Sequence, residues 1–316
     1  MLYIAHRLFA AHDRALGAMA ARILGDAAGN DDNVFLPFCD TDEEDLVADV
    51  KGRRLFELDS ERLKRLSGML ALLHGPSLDD GVCMEIGFAA ALGVPVVALT
   101  TDFITYATEP DAPGWSFPDP LIDYLATDVI SARMLGTASA EPSQRFTAFE
   151  DRNRAQVADA MHAACRRLVG LAQPTQGVRA MPADSQRVAF IESSPYRPSS
   201  DDGDGNGGLL RELGYQVITA GRFSARDPLA AAAADWTAAT SASLLIADVS
   251  GPEAPPGAAA MIGAAVATGR TALAYNPVPA WTFAHGREPN WRNLMIQYGV
   301  SGVFSAPADL KGLVRQ

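Results

Sequence analysis

Apolar positions along this chain follow two alternating rhythms. Leu2–Ala5 is a short unbroken apolar run, the pattern of a strand covered on both faces. From Asp13 to Leu24 the residues Leu16, Met19, Ala20, Ile23 and Leu24 recur at helical spacing. Val34–Pro37 predicts a second strand, closed by proline. Asp59–Leu66 predicts a helix with Asp59 near its start, and Met69–Leu73 another buried strand. Gly81–Leu92 reads as a helix, Gly93 as its C-cap and Val94–Leu99 as the next strand. A long helix over about Ser143–Leu171 closes this series. Its arginines, Arg152, Arg154, Arg166 and Arg167, are expected to coat a solvated face.

A second series starts at Arg187 with an apolar strand to Glu192. A polar, Asp- and Gly-rich loop follows from Ser194 to Gly208, then helices near Gly207–Leu213 and Pro228–Thr240. The alanine run at 230–234 needs only helix propensity to explain it. A strand–helix–strand unit then runs to Tyr275. Strands alternating with helices imply βαβ units and parallel sheets, so the expected class is α/β with flavodoxin-like (Rossmann-like) domains.

The two series share a motif. A constant offset of 176 residues aligns Gly75 with Gly251, Pro76 with Pro252, Gly81 with Gly257, Ile86 with Ile262, Gly87 with Gly263 and Gly93 with Gly269, without a gap. Through the same alignment Glu85 faces Met261, and Asp79-Asp80 face Pro255-Pro256; Asp59 keeps its acid as Asp235. One copy has lost charged groups and kept its glycines, as one working site beside one scaffold half would. The repeat divides the 316 residues into a domain at 1–172, a linker at 173–186 and a second domain at 187–316. Each domain, at about 150 residues, is large enough for its own core.

Composition narrows the function. A hydrophobic share of 48% and a charged share of 20% fit a soluble globular protein. A net charge of −12 argues against nucleic acid or an anionic membrane as partner. The opening Met1–Arg7 enters a strand at once and predicts no signal peptide, and no apolar run nears a membrane span. Cys39, Cys83 and Cys165 share no metal spacing, so reduced thiols, a cytoplasmic location and no zinc site are expected.

The candidate chemistry sits at the motif. Glu85 falls in the first turn of the Gly81–Leu92 helix, at the carboxyl ends of the strands, where open parallel sheets bind ligands. Asp79 lies six residues earlier. Two carboxylates beside one crevice can break a glycosidic bond, one attacking the anomeric carbon while the other orients the sugar or handles a proton. By position alone, Glu85 equally suits a helix dipole and Asp79 a turn cap.

The run Asp79-Asp80-Gly81-Val-Cys-Met-Glu85-Ile-Gly-Phe-Ala89, followed by Gly93-Val-Pro and a strand, resembles the signature of the nucleoside 2-deoxyribosyltransferase family. The opening Tyr3-Ile-Ala-His-Arg-Leu-Phe9 resembles that family's first strand and aromatic loop, and the likeness covers most of residues 1–102. It implies that Glu85 is the nucleophile, that Asp79 binds the sugar hydroxyls, and that Asp59 handles the base. Tyr3, Phe9 and Gly81 are implied to bind substrate. In the second half, Asn293-Leu-Met resembles a family segment whose Asn reaches the sugar from a neighbouring subunit. The first half has no such Asn in Pro120–Leu125, so the losses are complementary and an intramolecular pseudo-dimer is expected. The resemblance further implies a role in nucleoside salvage, a nucleoside and a free nucleobase as partners and no metal or organic cofactor. Further homo-oligomers of the pseudo-dimer fit as well.

There are departures from the family pattern. His6-Arg7-Leu8 stands where the family loop is often glycine-rich; the pair is expected to be solvated, although it suits a 5′-phosphate. The family's base-reading Gln is replaced around Cys39–Thr41. His74 is expected to be structural, and Trp281 and Trp291 to lie in a core or interface. Two alternatives stay open: an N-glycosidase of nucleosides or nucleoside 5′-monophosphates, and a non-catalytic nucleotide-binding or sensor protein.

Overall fold

The computed structural model describes residues 1–40, 51–132, 141–173, 187–195, 205–283 and 288–314. The expected linker, apart from Gln173, lies outside them, as does most of the polar loop after Ser194. In the first half the elements run β1 (Leu2–Ala5), α1 (Ala11–Ala28), β2 (Val34–Phe35), α2 (Lys51–Leu63), β3 (Gly68–Leu72), α3 (Asp80–Ala91), β4 (Val96–Thr100), α4 (Pro120–Leu125), β5 (Asp128–Ser131) and α5 (Arg145–Leu171). In the second they run β6 (Val188–Glu192), α6 (Asn206–Glu212), β7 (Gln216–Thr219), α7 (Pro228–Ser241), β8 (Leu244–Asp248), α8 (Pro256–Thr268), β9 (Thr271–Tyr275), α9 (Leu294–Gly299), β10 (Gly302–Phe304) and α10 (Pro307–Val314).

Each half forms a five-stranded sheet, ordered β2-β1-β3-β4-β5 and β7-β6-β8-β9-β10, with every pairing parallel. Both are the flavodoxin-like 2-1-3-4-5 order, whose switch point lies between the first and third strands. The central strands β3 and β8 are buried along their whole length, which explains why they are apolar up to Asp248, the last residue of β8. No helix among the described residues is long and apolar enough to cross a membrane.

The halves pack through α3 and α8. Both helices are apolar on nearly every face, as a helix enclosed on all sides must be. A Cβ on Gly87 would overlap the carbonyl of Ala260, and one on Gly263 would overlap that of Met84. Adding 176 converts one pair into the other, so the contact is isologous, the geometry of a two-fold dimer. The glycines recurring in the two motifs thus let two backbones touch. A single core joins Ile86 and Phe88 to Met261, Ile262, Met295 and Ile296 across the halves. Separate clusters fill the outer faces, one holding Leu24 and Leu168 and the other Leu244 and Phe304.

Several sequence expectations need correction. The helix expected at Asp59–Leu66 runs over Lys51–Leu63, so Asp59 lies in its later turns rather than near its start. Its polar first turns pack on the second half, where the Gly52 amide donates to Glu288 at 2.8 Å and Phe56 meets Tyr298. β2 ends at Phe35, before Leu36 and Pro37. The helices α4 and α9 and the edge strands β5 and β10 are too short to stand out by periodicity. Trp281 is 57% exposed rather than in a core or interface, whereas Trp291 packs against the shared core. His74 is structural in its geometry, its Nε2 lying 2.8 Å from the buried Asp13 carboxylate. The four α5 arginines are exposed.

Candidate active site

Glu85 lies in the second turn of α3, not in the first turn as expected, because the helix starts at Asp80; it faces Tyr3 of β1. The Tyr3 hydroxyl donates to its Oε1 at 2.6 Å. Tyr3 is itself fixed by stacking on Phe35, with centroids 5.5 Å apart and planes at 27°. Burial pushes the Glu85 carboxyl well above the ordinary glutamate range; the Tyr3 hydrogen bond opposes this, while Asp59 and Asp79 add to it.

Asp79 is the N-cap of α3, its Oδ1 accepting the Val82 amide at 3.0 Å. Its Oδ2 lies 3.6 Å from Arg7 Nε. Burial raises the Asp79 carboxyl, against the lowering effect of Val82 and Arg7. Asp80 is buried beside it and pushed up to about 7, first by burial and then by the charge of Asp79. Asp80 Oδ2 accepts the Ala254 amide of the second half at 3.2 Å. The cap and the catalytic roles considered for Asp79 are therefore compatible, because one oxygen caps and the other faces Arg7.

The second half completes the floor. Asn293 caps α9 through Oδ1, which accepts the Met295 amide at 3.0 Å. Its Nδ2 lies so near Gly81 that a Cβ there would come within 2.6 Å. Gly81 thus admits the Asn293 amide between the halves. Asp59 pairs with Arg62 at 3.1 Å, and the Arg62 guanidinium lies 4.2 Å over the Phe35 ring. Phe9 stands at the mouth, 68% exposed.

These residues share one cavity of about 380 Å³, which both halves line. Glu85, Asp79, Asp59, Gly81, Phe9 and Asn293 all contribute to its wall. Tyr3 is fully buried and reaches the site through Glu85. A larger open hollow of about 990 Å³ lies between α1 and α5, but its one carboxylate, Glu150, pairs with Arg154. The cavity between the halves is the one that gathers acids. Among the described residues no cluster of three or more His, Cys, Asp or Glu is arranged to hold a metal ion.

A family model described as nucleoside 2-deoxyribosyltransferase matches residues 2–161, just over half of the chain. The chain belongs to this family. No curated protein matches the chain. The span matched contains β1 to α4 and hence Tyr3, Phe9, Asp59, Asp79, Gly81 and Glu85, but not Asn293.

In the second half, the position corresponding to the first-half cavity is filled. Arg222, 0% exposed, lies against Gly257, the partner of Gly81, where a Cβ would overlap its guanidinium and the Asp119 carboxylate. The guanidinium makes a two-pronged contact with Asp119 at 2.7 and 2.8 Å and another with Glu192 at 2.9 and 2.5 Å, and reaches Asp235 at 3.3 Å. Burial and the neighbouring acids leave the Glu192 carboxyl at about 6, with Arg222 pulling it down. Asp235 does keep the acid of Asp59, but it holds the Gly221 and Arg222 amides and the Arg222 side chain. The first-half counterpart of Asn293 is Asp119, which caps α4 in the same way and lies just ahead of Pro120–Leu125.

Arg222, Asp119 and Glu192 carry no signal in the sequence, because their residue types suit a surface. His6 and Arg7 are not the expected solvated pair: His6 is buried, with Nδ1 donating to the Arg7 carbonyl at 2.8 Å, and burial lowers its pKa. Arg7 bridges the halves, donating to the Ser77 carbonyl at 2.8 Å and to Glu253 at 3.4 Å. The repeat held one usable signal: Ser77 and Glu253 are 176 residues apart, and they meet at 3.1 Å.

Proposed function

We propose that the chain is a nucleoside 2-deoxyribosyltransferase whose single working site lies between its halves. The supporting observation is the Tyr3–Glu85 hydrogen bond on the floor of a cavity walled by Asp79 and by Asn293 of the other half. Glu85 Oε attacks C1′ of a 2′-deoxynucleoside as the C1′–N bond breaks, passing through an oxocarbenium-like transition state. The bonding pair leaves with the base, which takes a proton from water or from Asp59. Asp59, steadied by Arg62, also accepts an N–H of the base. Asp79 and the Asn293 amide hold the sugar hydroxyls. A second base, giving up its N–H proton to Asp59 or water, then attacks C1′ from the opposite side, and Glu85 leaves as a carboxylate with net retention. Water in place of that base gives hydrolysis.

The reading is tested with a 2′-deoxy-2′-fluoro nucleoside. Fluorine slows both steps by destabilising the transition state, so the ester on Glu85 accumulates. Intact mass should show one adduct per chain, on the peptide containing Glu85, and Glu85→Gln should form none. Release of base with an inverted sugar and no adduct would sink the covalent route. A second free base supplied with unmodified substrate should yield the exchanged nucleoside; sugar alone would mean hydrolysis.

A further inference from the structure

We propose that Phe283 of the second half is a specificity-determining residue, packing on the flat face of the nucleobase held in the first-half site. This rests on the nucleoside reading above.

Between β9 and α9, Thr282 and Asn290 form an antiparallel bridge, pairing at 2.7 and 3.0 Å. Asn290 lies three residues before Asn293. Between them stands Arg292, whose guanidinium donates to the carbonyls of Val249 at 2.7 Å and Gly251 at 2.8 Å. Beside the bridge, Phe283 borders the cavity that contains Glu85, yet its ring is 78% exposed. Phe9 borders the same mouth from the first half. The cavity is therefore divided, with carboxylates on the floor and aromatic rings at the entrance. A nucleoside has the same division, a hydroxyl-bearing sugar joined to a flat heterocycle whose π-faces stack on aromatic rings.

The repeat strengthens the assignment. The first half has the corresponding antiparallel bridge, with Tyr106 and Trp115 paired at 2.8 Å. The 176-residue offset takes Tyr106 to Thr282 and Ala107 to Phe283. The half whose own site is filled by Arg222 thus supplies the aromatic to the open site. The other half, whose partner site is filled, carries alanine at that position. Phe283 is exposed beside the Thr282–Asn290 bridge and outside every core cluster, so core packing does not account for it.

The test uses the full chain with Glu85→Gln, which binds without turnover, and calorimetric titration with deoxynucleosides and with 2-deoxyribose. Adding Phe283→Ala should weaken nucleoside binding about tenfold, at the lower end of measured base–aromatic stacking. Affinity for 2-deoxyribose should be unaltered, and Phe283→Trp should restore nucleoside binding. With Glu85 intact, the loss should appear in KM rather than kcat. Phe283 is exposed, so the melting temperature should stay that of the parent and report any misfolding. If the parent turns nucleosides over and Phe283→Ala binds and reacts as the parent does, the stacking role is wrong and the nucleoside reading survives. If the parent neither binds nor cleaves any deoxynucleoside, both fall.

Discussion

The Tyr3 hydroxyl meets Glu85 Oε1 at 2.6 Å, across 82 residues of sequence. Tyr3 is the donor in this pair, so the contact favours the ionised carboxylate, the form that the proposed attack on C1′ requires. It works against the burial that favours the neutral acid.

Removing that hydroxyl gives the first prediction. In Tyr3→Phe the Glu85 carboxyl should move further above its already raised position. The rising limb of kcat/KM against pH should then shift to higher pH, with a loss of about ten- to a hundredfold on the acid side, the value of a hydrogen bond to a charge. The stability effect has the opposite sign. Folded Glu85 holds its proton more tightly than unfolded Glu85, so stability present below about 4.5 is lost as pH rises through the folded value. The melting temperature of Glu85→Gln should therefore gain on the parent as pH increases. Superimposable pH–rate profiles for Tyr3→Phe and the parent would contradict the pairing.

Asn293 allows its two ends to be separated. Asn293→Ala loses both the α9 cap and the amide donor, and should cost about one to two decades in rate and about 1 kcal/mol of stability. Asn293→Asp keeps an oxygen for the Met295 amide but no donor, and adds negative charge beside Asp79. It should melt near the parent temperature and still be at least as slow as the alanine variant. A fully active Asn293→Asp enzyme would show that the amide does not serve the sugar.

Arg222 is expected to bind the halves together. Arg222→Met should leave Asp119, Glu192 and Asp235 buried without their counter-charge, at a cost of about 3–5 kcal/mol in urea unfolding. The loss should shrink as pH falls towards about 6, because without Arg222 the Glu192 carboxyl moves above that value and takes up its proton before the parent's does. A pH-independent loss, or none, would mean that water screens the cluster.

What the sequence determined by itself is the local part of this protein. Unbroken apolar runs marked the strands, because a strand between two helical layers has no polar face. The repeated Gly75/Gly251 and Gly93/Gly269 pairs marked turns, and all four have positive φ. Glu85 and Asp79 were visible because a helix N-terminus at a strand end is a short-range pattern. The tertiary structure alone decided which charges are buried and what opposes them. Arg222 and Asp119 are 103 residues apart and Asp80 and Ala254 are 174 apart, and no local spacing records either pair. It also decided that one of two equivalent sites is filled and the other open. Desolvation makes an unpaired buried charge costly, so the fate of each acid depends on whatever the fold brings within about 4 Å of it. For Asp235 that is an arginine of its own half, and for Glu85 it is the hydroxyl of Tyr3.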